Sequence, residues 1–216
     1  MPRTLKSVIR GGESERLEFK VESPGPRKLA RVIASFGSSC GGDLVVGVDD
    51  GGRIVGVDDV GAVRADIERA LDAVDPRPET KTDVLVHDLR DVVVVSVEEI
   101  GYPEFCYVVE DGRESAVFRV GKESRVVSRE VEKFVTRLRR HARGAMRLDD
   151  DARRLLSFLW ERGESREIVC ARRLNYSSRR LRKLAEALIG AGYLLPCRLG
   201  EGRRYVAIRP LPGTRR

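Results

Sequence analysis

A short apolar run between two pairs of glycines does most to limit the folds open to this chain. Residues 43–48 read DLVVGV; two glycines precede them, and residues 49–52, DDGG, follow. An apolar run of this length between turn signals is typical of a buried strand. Because glycine supplies the positive φ angles of a tight turn, DDGG predicts a hairpin in which residues 53–57, RIVGV, return as the partner strand. We therefore expect a sheet built around this hairpin.

Helical and extended patterns flank the hairpin in a mixed order. Leu29, Val32 and Phe36 recur at helical spacing and predict a helix that ends at about residue 38. Ser128 is a typical N-cap for a later helix. Together these patterns predict an α/β (α+β) N-terminal domain with a mixed sheet, over residues 1–144. The other predicted elements are a strand at residues 16–19, a helix at residues 60–71, and extended segments at residues 83–89, 91–99 and 103–121.

Charge is spread unevenly along the chain. Residues 1–144 contain 24 Lys and Arg against 26 Asp and Glu, a net charge of −2. Residues 145–216 contain 17 Lys and Arg against eight Asp and Glu, a net charge of +9. A polar junction, HARGAMRLDDD, lies between the two regions. This asymmetry indicates two modules, the second of which has a polyanion as its natural partner.

The basic C-terminal region contains three helical patterns followed by a hairpin pattern. Asp149 or Asp150 is the expected N-cap of the first helix, and the second covers residues 165–174. The third carries a leucine face and ends at Gly190 or Gly192. Two short strands then surround residues 200–202. Three helices followed by a hairpin predict a small C-terminal winged helix-turn-helix domain over residues 145–216.

Two sets of cations in this region are candidates for contact with nucleic acid. One set lies on the third helix, opposite its leucines, and the other lies on the hairpin. Guanidinium groups suit phosphates and guanine edges because each bonds two acceptors at once. A solvated helix face or a protein-docking unit would carry the same pattern, but the charge of +9 favours nucleic acid. The helix set is Arg179, Arg180, Arg182 and Lys183, and the hairpin set is Arg198, Arg203 and Arg204.

Several other classes of protein fit the sequence poorly. The longest uncharged window near the C-terminal end, ALIGAGYLLPC, is too short to cross a membrane, and residues 1–10 have no apolar signal core. We therefore expect a cytoplasmic protein without membrane contact. The four cysteines form no C-x-x-C pair, which argues against a zinc site.

The segment GESERLEFK, residues 12–20, admits two interpretations. Alternation predicts a strand in which Leu17 and Phe19 face the core while Glu18 faces water. Alternatively, Glu13 and Glu18 converge on a cation. The pattern alone leaves both interpretations open.

Three linked motifs resemble those of the Schlafen AlbA-like domain. They are ESERLEFK at residues 13–20, GGDLVVGVDDGG at residues 41–52 and FRVG at residues 118–121. The resemblance covers about residues 10–140 of the chain. One departure is that residues 38–40, SSC, stand where the family usually has Asn or Thr before the double glycine.

The resemblance implies two different functions. Microbial members are commonly described as DNA-binding or transcription-regulating proteins, often joined to winged helices, which implies a DNA-binding transcriptional regulator here. In the animal Schlafens the duplicated domain cleaves transfer and ribosomal RNA through three acids, which correspond here to Glu13, Glu18 and Asp50. This second case implies a metal-dependent endoribonuclease that acts on structured RNA such as tRNA.

The acids have a different role in each of these cases. In a nuclease the three carboxylates would hold Mg²⁺ or Mn²⁺, and Lys20 would contact phosphate. In a non-enzyme, Glu18 and Asp50 would instead bond backbone amides around the DDGG turn. The sequence leaves these alternatives open. Because the animal domain is duplicated while this chain carries one copy, we also expect a homodimer.

Overall fold

The computed structural model describes residues 4–101, 105–142, 146–209 and 211. The chain divides into two compact units, Met1–Val126 and Val127–Arg216. This division falls earlier than the boundary predicted between residues 144 and 145. The reason is that the helix beginning at Arg129, which we predicted in the first domain, packs against a helix and a strand of the second unit.

The described residues of the first unit form a mixed α+β structure with two four-stranded sheets. The mixed sheet has the order β1-β2-β5-β4, in which β1 and β2 are parallel and the other neighbours antiparallel. The second sheet has the order β3-β6-β7-β8 and is antiparallel. The elements are α1 (Leu5–Ile9), β1 (Leu17–Lys20), α2 (Pro26–Gly37), β2 (Gly42–Val46), α3 (Val60–Asp72), β3 (Val74–Asp75), β4 (Thr80–His87), β5 (Arg90–Val97), β6 (Tyr107–Glu110), β7 (Arg113–Val120) and β8 (Glu123–Val126).

Both faces of the mixed sheet are covered. Leu44 and Val46 of β2 pack with Phe36 of α2 in a core that extends to α3 and to the second sheet. On the opposite face, Phe19 of β1 packs with Leu5 of α1. Helix α2 contacts strands of both sheets. A side chain on either face of β1 is therefore shielded from water.

The hairpin expected around β2 forms only in part. The DDGG turn is present, with the Gly52 amide donating to the Asp49 carbonyl at 2.8 Å. Residues 53–56 return beside residues 47–49, with the isolated bridge Val48–Ile54 and backbone hydrogen bonds from Asp49 to Arg53 at 3.0 Å and from Val55 to Gly47 at 2.9 Å, but they form no regular strand. The predicted return of RIVGV after the turn is therefore present, but its pairing as a full strand along β2 is wrong. The neighbours of β2 are β1 and β5, which occupy both of its edges before the turn begins.

Other predicted elements of the first unit are confirmed. Helices α2 and α3 and strands β2, β4, β5, β6 and β7 lie where the patterns placed them. The β4–β5 turn lies at Asp88 and Leu89, slightly before the predicted position, and both residues have positive φ angles. The sequence analysis did not predict α1, β3 or β8.

The described residues of the second unit form four helices and a three-stranded antiparallel sheet with the order β10-β11-β9. Side chains of Ser128, Asp149 and Ser177 cap three of the helices, so Asp149 rather than Asp150 is the cap. The predicted second helix begins two residues late because residues 165–166 pair with β11. The elements are α4 (Arg129–His141), α5 (Asp150–Arg162), β9 (Ser165–Arg166), α6 (Glu167–Leu174), α7 (Ser178–Gly190), β10 (Leu194–Arg198) and β11 (Arg204–Ala207).

Among the residues that the structure describes, every helix is too short or too polar to cross a bilayer.

Candidate nucleic-acid interface

Helix α7 separates its apolar and cationic residues as the sequence predicted. The Ser177 hydroxyl accepts from the Arg180 amide at 3.2 Å and fixes the start of the helix. Leu181 and Leu188 are buried, whereas the four predicted cations are exposed. These cations are Arg179, Arg180, Arg182 and Lys183.

The four cations of α7 differ in their partners. The Arg180 guanidinium lies 3.8 Å from the centroid of the Tyr176 ring and 3.4 Å from the Asp151 carboxylate. The Arg182 Nε donates to a carboxylate of helix α6. Within the described residues, no hydrogen bond or ion pair engages Arg179 or Lys183. These two side chains are therefore the cations of α7 most available to a ligand.

A buried carboxylate, Glu167, holds α7 and the hairpin together. Glu167 is 8% exposed, and its two oxygens accept from the Arg182 Nε at 2.9 and 3.1 Å. The Tyr205 hydroxyl donates to Glu167 Oε2 at 3.1 Å, and the Arg203 Nε lies 3.9 Å from the same oxygen. Burial raises the pKa of Tyr205 to about 12, so its hydroxyl stays protonated and donates.

Sequence reasoning missed Glu167, although a signal was present. Glu167, Cys170, Ala171 and Leu174 follow the spacing of one helical face, and all four are buried. An acid in the first position of such a face has to find a cationic partner inside the fold.

The cations of the β10–β11 hairpin are less free than expected. Arg204 Nη1 pairs with Glu164 Oε1 at 3.0 Å, and the Arg203 side chain is only 18% exposed beside Glu167. Arg198 is exposed. With Arg204 and Arg166, a β9 residue that the sequence analysis did not select, Arg198 lines an open cavity of about 320 Å³. Glu201 lines the same cavity, and Arg198 and Arg166 are its two exposed arginines.

In the first unit, Glu18 is part of a buried ion-pair cluster. Glu18 is 8% exposed and lies beside its register partner Leu44, on the face that α2 covers. Its Oε2 atom is 2.8 Å from Arg119 Nη2, and its Oε1 atom is 2.5 Å from Lys20 Nζ. The expectation that Glu18 faces water is therefore wrong, because a cation from the second sheet covers it.

Arg119 is the central cation of this cluster, and the sequence analysis did not select it. Its side chain is 1% exposed, and Nη2 also donates to the Ser14 carbonyl at 2.9 Å. The guanidinium carbon lies 4.9 Å from the centroid of the Phe36 ring. Within the described residues its Nε atom has no hydrogen-bond partner. The signal was an arginine inside the apolar strand segment AVFRV, where a buried cation needs an acid.

The other predicted acids bind the backbone or face solvent. Glu13 Oε1 accepts from the Phe19 amide at 3.1 Å. At the DDGG turn, Asp49 accepts from the amides of Gly51 at 3.1 Å and Arg53 at 2.9 Å. The backbone hydrogen bond from Arg53 is the main cause that lowers the pKa of Asp49. Asp50, which would bond amides at this turn in the non-enzyme alternative, is exposed.

These contacts bear on the predicted metal site. In the described residues, no group of three or more His, Cys, Asp and Glu side chains is placed to hold a metal ion. Both oxygens of Glu18 already face cations. Glu13, Glu18 and Asp50 therefore do not fit a site for Mg²⁺ or Mn²⁺ in this arrangement.

The serines that replace the family's usual Asn or Thr form two links between α2 and the second sheet. The Ser38 hydroxyl accepts from the Cys106 amide at 2.8 Å. The Ser39 hydroxyl accepts from the Arg119 amide at 3.1 Å. Hydroxyl groups thus anchor the strand that carries the buried arginine.

Comparison with known proteins gives a family match and several distant structural similarities, among them two with TM-scores of 0.44 and 0.43. Residues 13–128, more than half of the chain, match the family model described as Schlafen, AlbA_2. No curated protein matches the chain.

Both of these structures have TM-scores below 0.5. The N-terminal domain of an ATP-dependent DNA helicase RecG-related protein from Nitrosomonas europaea is 21% identical, with a TM-score of 0.44, over 55% of this chain and 88% of that one. The DIP2311 protein from Corynebacterium diphtheriae is 19% identical, with a TM-score of 0.43, over 94% of this chain and 38% of that one.

Proposed function

This chain belongs to the Schlafen AlbA_2 family, and we propose that it binds nucleic acid through its second unit. The observation that carries the proposal is the cationic face of α7, opposite the buried leucines. Arg179 and Lys183, which have no partner in the described residues, suit the oxygens of phosphate groups and the acceptors of guanine.

The order of elements in the second unit supports a particular way of binding. Helices α5, α6 and α7 are followed by the β10–β11 hairpin, and β9 adds a third strand. This order is typical of winged helix-turn-helix domains, in which the last of the three helices enters a groove of the duplex. In our proposal α7 is the recognition helix, and Arg198 and Arg166 contact the phosphate backbone.

Two finer parts of the proposal concern biological role and assembly. We propose that the protein binds DNA in a regulatory role, as a transcriptional regulator. A homodimer would present two α7 helices to one duplex, and two-fold assemblies are the commonest oligomers. The regulatory role and the homodimer both stay predictions.

The proposal is tested by the affinity of the full chain for duplex DNA and hairpin RNA, measured by fluorescence anisotropy over a range of salt concentrations. We expect the double variant Arg179→Ala/Lys183→Ala to bind at least about tenfold more weakly than the wild type. The slope of log K against log salt concentration should become shallower by about two, because two phosphate contacts are lost.

Helix α4 offers a matched control for this experiment. Arg129 and Lys133 are exposed and have the same spacing as Arg179 and Lys183. The variant Arg129→Ala/Lys133→Ala removes the same charge from another helix of the unit and should bind as the wild type does. Equal affinities for the two double variants would refute the role of α7. A wild type that binds neither nucleic acid would refute the proposal as a whole.

The endoribonuclease alternative has a sharper test in this structure than a Glu18 variant. Asp50 is exposed, so Asp50→Ala removes one of the three acids without opening the core. Because both Glu18 oxygens are paired, we expect no metal-dependent cleavage of tRNA by either protein in the presence of Mn²⁺. Cleavage by the wild type that Asp50→Ala abolishes would establish the nuclease instead.

A further inference from the structure

The groove between α5 and α6 contains an open cavity that is separate from the α7 cations and the hairpin. Its volume is about 310 Å³. Ligand pockets commonly start at about 300 Å³, so the cavity is large enough for a small ligand group. The residues that define this α5–α6 cavity are Arg153, Arg154, Ser157, Phe158, Glu161 and Arg173.

The charge of the cavity favours an anion. Within the described residues, Arg173 has no ion pair or hydrogen bond. The Arg153 Nε donates to the Leu148 carbonyl at 3.3 Å, which leaves its two terminal nitrogens available. Arg154 Nη1 is 3.9 Å from Asp151 Oδ1, which is the outer limit of an ion pair. The cavity is thus lined by three arginines and by one acid, Glu161. A guanidinium group can donate two parallel hydrogen bonds to the oxygens of one phosphate.

An aromatic ring among these cations points to a base as well as a phosphate. Phe158 is half-buried and lines the cavity, and the Arg162 guanidinium carbon lies 5.9 Å from the centroid of its ring. A phosphate would accept hydrogen bonds from the arginines, but it would not stack on the ring. A nucleobase stacks on such a ring, and the Glu161 carboxylate can accept from a base amino group. Bases inside a duplex are already stacked, so an unpaired nucleotide fits the cavity better.

The cavity lies close to the start of α7. Asp151, in the first turn of α5, contacts both the Tyr176 hydroxyl and Arg180. Arg153 and Arg154 follow Asp151 in the same helix. A strand that leaves a duplex bound on α7 therefore has a short path to the α5–α6 cavity.

Building on the proposed function, we propose that the α5–α6 cavity binds an unpaired nucleotide next to the duplex. Arg153, Arg154 and Arg173 bind its phosphate, and Phe158 stacks on its base. The substrate class is then a nucleic acid with a junction between duplex and single strand rather than a fully paired duplex.

The test compares the affinity of the full chain for a blunt DNA duplex and for the same duplex with a three-nucleotide overhang. We expect the overhang to tighten binding about fivefold or more, which corresponds to the stacking of a single base. Phe158→Leu keeps an apolar side chain but removes the ring, so it should abolish this gain and leave the affinity for the blunt duplex unchanged. Phe158→Trp should retain the gain.

The outcomes separate this inference from the proposed function. Equal wild-type affinities for the two DNAs, or a Phe158→Leu variant that keeps the full gain, would refute the cavity as a nucleotide site while duplex binding persists. Weaker binding of Arg179→Ala/Lys183→Ala to both DNAs supports the proposed role of α7 and does not test the cavity. Arg173→Ala should reduce the gain and make the salt slope for the overhang DNA shallower by about one, and an unchanged slope would count against phosphate binding there.

Discussion

Replacing Arg119 by methionine should lower the free energy of unfolding of the first unit by about 3 kcal/mol or more. The Arg119 side chain is 1% exposed, and its removal leaves Glu18 buried with Lys20 as its one remaining cationic partner. It also leaves the Ser14 carbonyl without the donor that Arg119 supplies. An uncompensated buried charge costs far more than a lost surface contact, since water no longer solvates it.

Hydrogen exchange of peptides from β1 and β7, measured across a urea series, reports this unfolding free energy for the first unit alone. Arg113 is the matched control because it lies at the exposed start of the same strand. Arg113→Met should change the unfolding free energy by no more than about 0.5 kcal/mol. If Arg119→Met lowered the unfolding free energy no more than Arg113→Met does, the ion-pair cluster would not stabilise the first unit.

A double-variant cycle measures the interaction free energy between Glu18 and Arg119 separately from their contacts with other residues. Glu18→Met alone leaves Arg119 buried without its carboxylate and should be as damaging as Arg119→Met. Glu18→Met/Arg119→Met removes both charges and should be less destabilised than the sum of the single variants, because neither charge is left uncompensated.

The ion pair also changes how a cleavage experiment on this protein has to be interpreted. Glu18 links β1 of the mixed sheet to β7 of the second sheet through Arg119. We therefore expect a Glu18 variant to lose stability of the first unit, whatever its effect on activity. Loss of activity at Glu18 is evidence of catalysis only when the unfolding free energy is unchanged.

The sequence predicted the helices well because their signals are local. The caps at Ser128 and Asp149 and the leucine face of α7 depend on residues within a few positions of one another. The exposure of Arg179 and Lys183 follows from that same face, so this part of the candidate interface was predictable.

The sequence analysis failed where a contact joins distant parts of the chain. Alternation in β1 shows that Glu18 and Phe19 lie on opposite faces, but not that both faces are covered. Glu18 meets Arg119 across 101 positions. Pairing between strands is likewise non-local, which explains why β2 has β5 rather than RIVGV as its antiparallel neighbour.

Contacts between distant parts of the chain also explain why the sequence did not show which cations of the second unit are paired with acids. Composition and spacing made Arg182, Arg203 and Arg204 equivalent to the other cations of the predicted interface. In the fold, Arg182 meets Glu167 across 15 positions, and Arg204 meets Glu164 across 40. Net charge therefore says how many cations the unit carries, whereas the internal acids decide which of them remain exposed without a partner.

Replacing Glu167 by alanine should lower the unfolding free energy of the second unit by about 2–4 kcal/mol. Glu167 accepts from Arg182 and from the buried hydroxyl of Tyr205, and it lies beside the largely buried Arg203. Without the carboxylate, the Tyr205 hydroxyl and the Arg203 guanidinium stay inside the fold with weaker partners. The exposed Arg182 is instead released to solvent, which adds a free cation to α7.

The only tryptophan of the chain, Trp160, lies in α5, so its fluorescence in a urea titration follows the unfolding of the second unit. Glu201→Ala is the control, because Glu201 is an exposed acid of the hairpin turn and its loss should cost at most about 0.5 kcal/mol. Below the unfolding transition, Glu167→Ala should bind duplex DNA with a salt slope steeper by up to about one, since Arg182 is then free to contact a phosphate. A Trp160 transition that Glu167→Ala leaves in place, with an unchanged salt slope, would show that Glu167 neither stabilises the unit nor withholds Arg182 from the ligand.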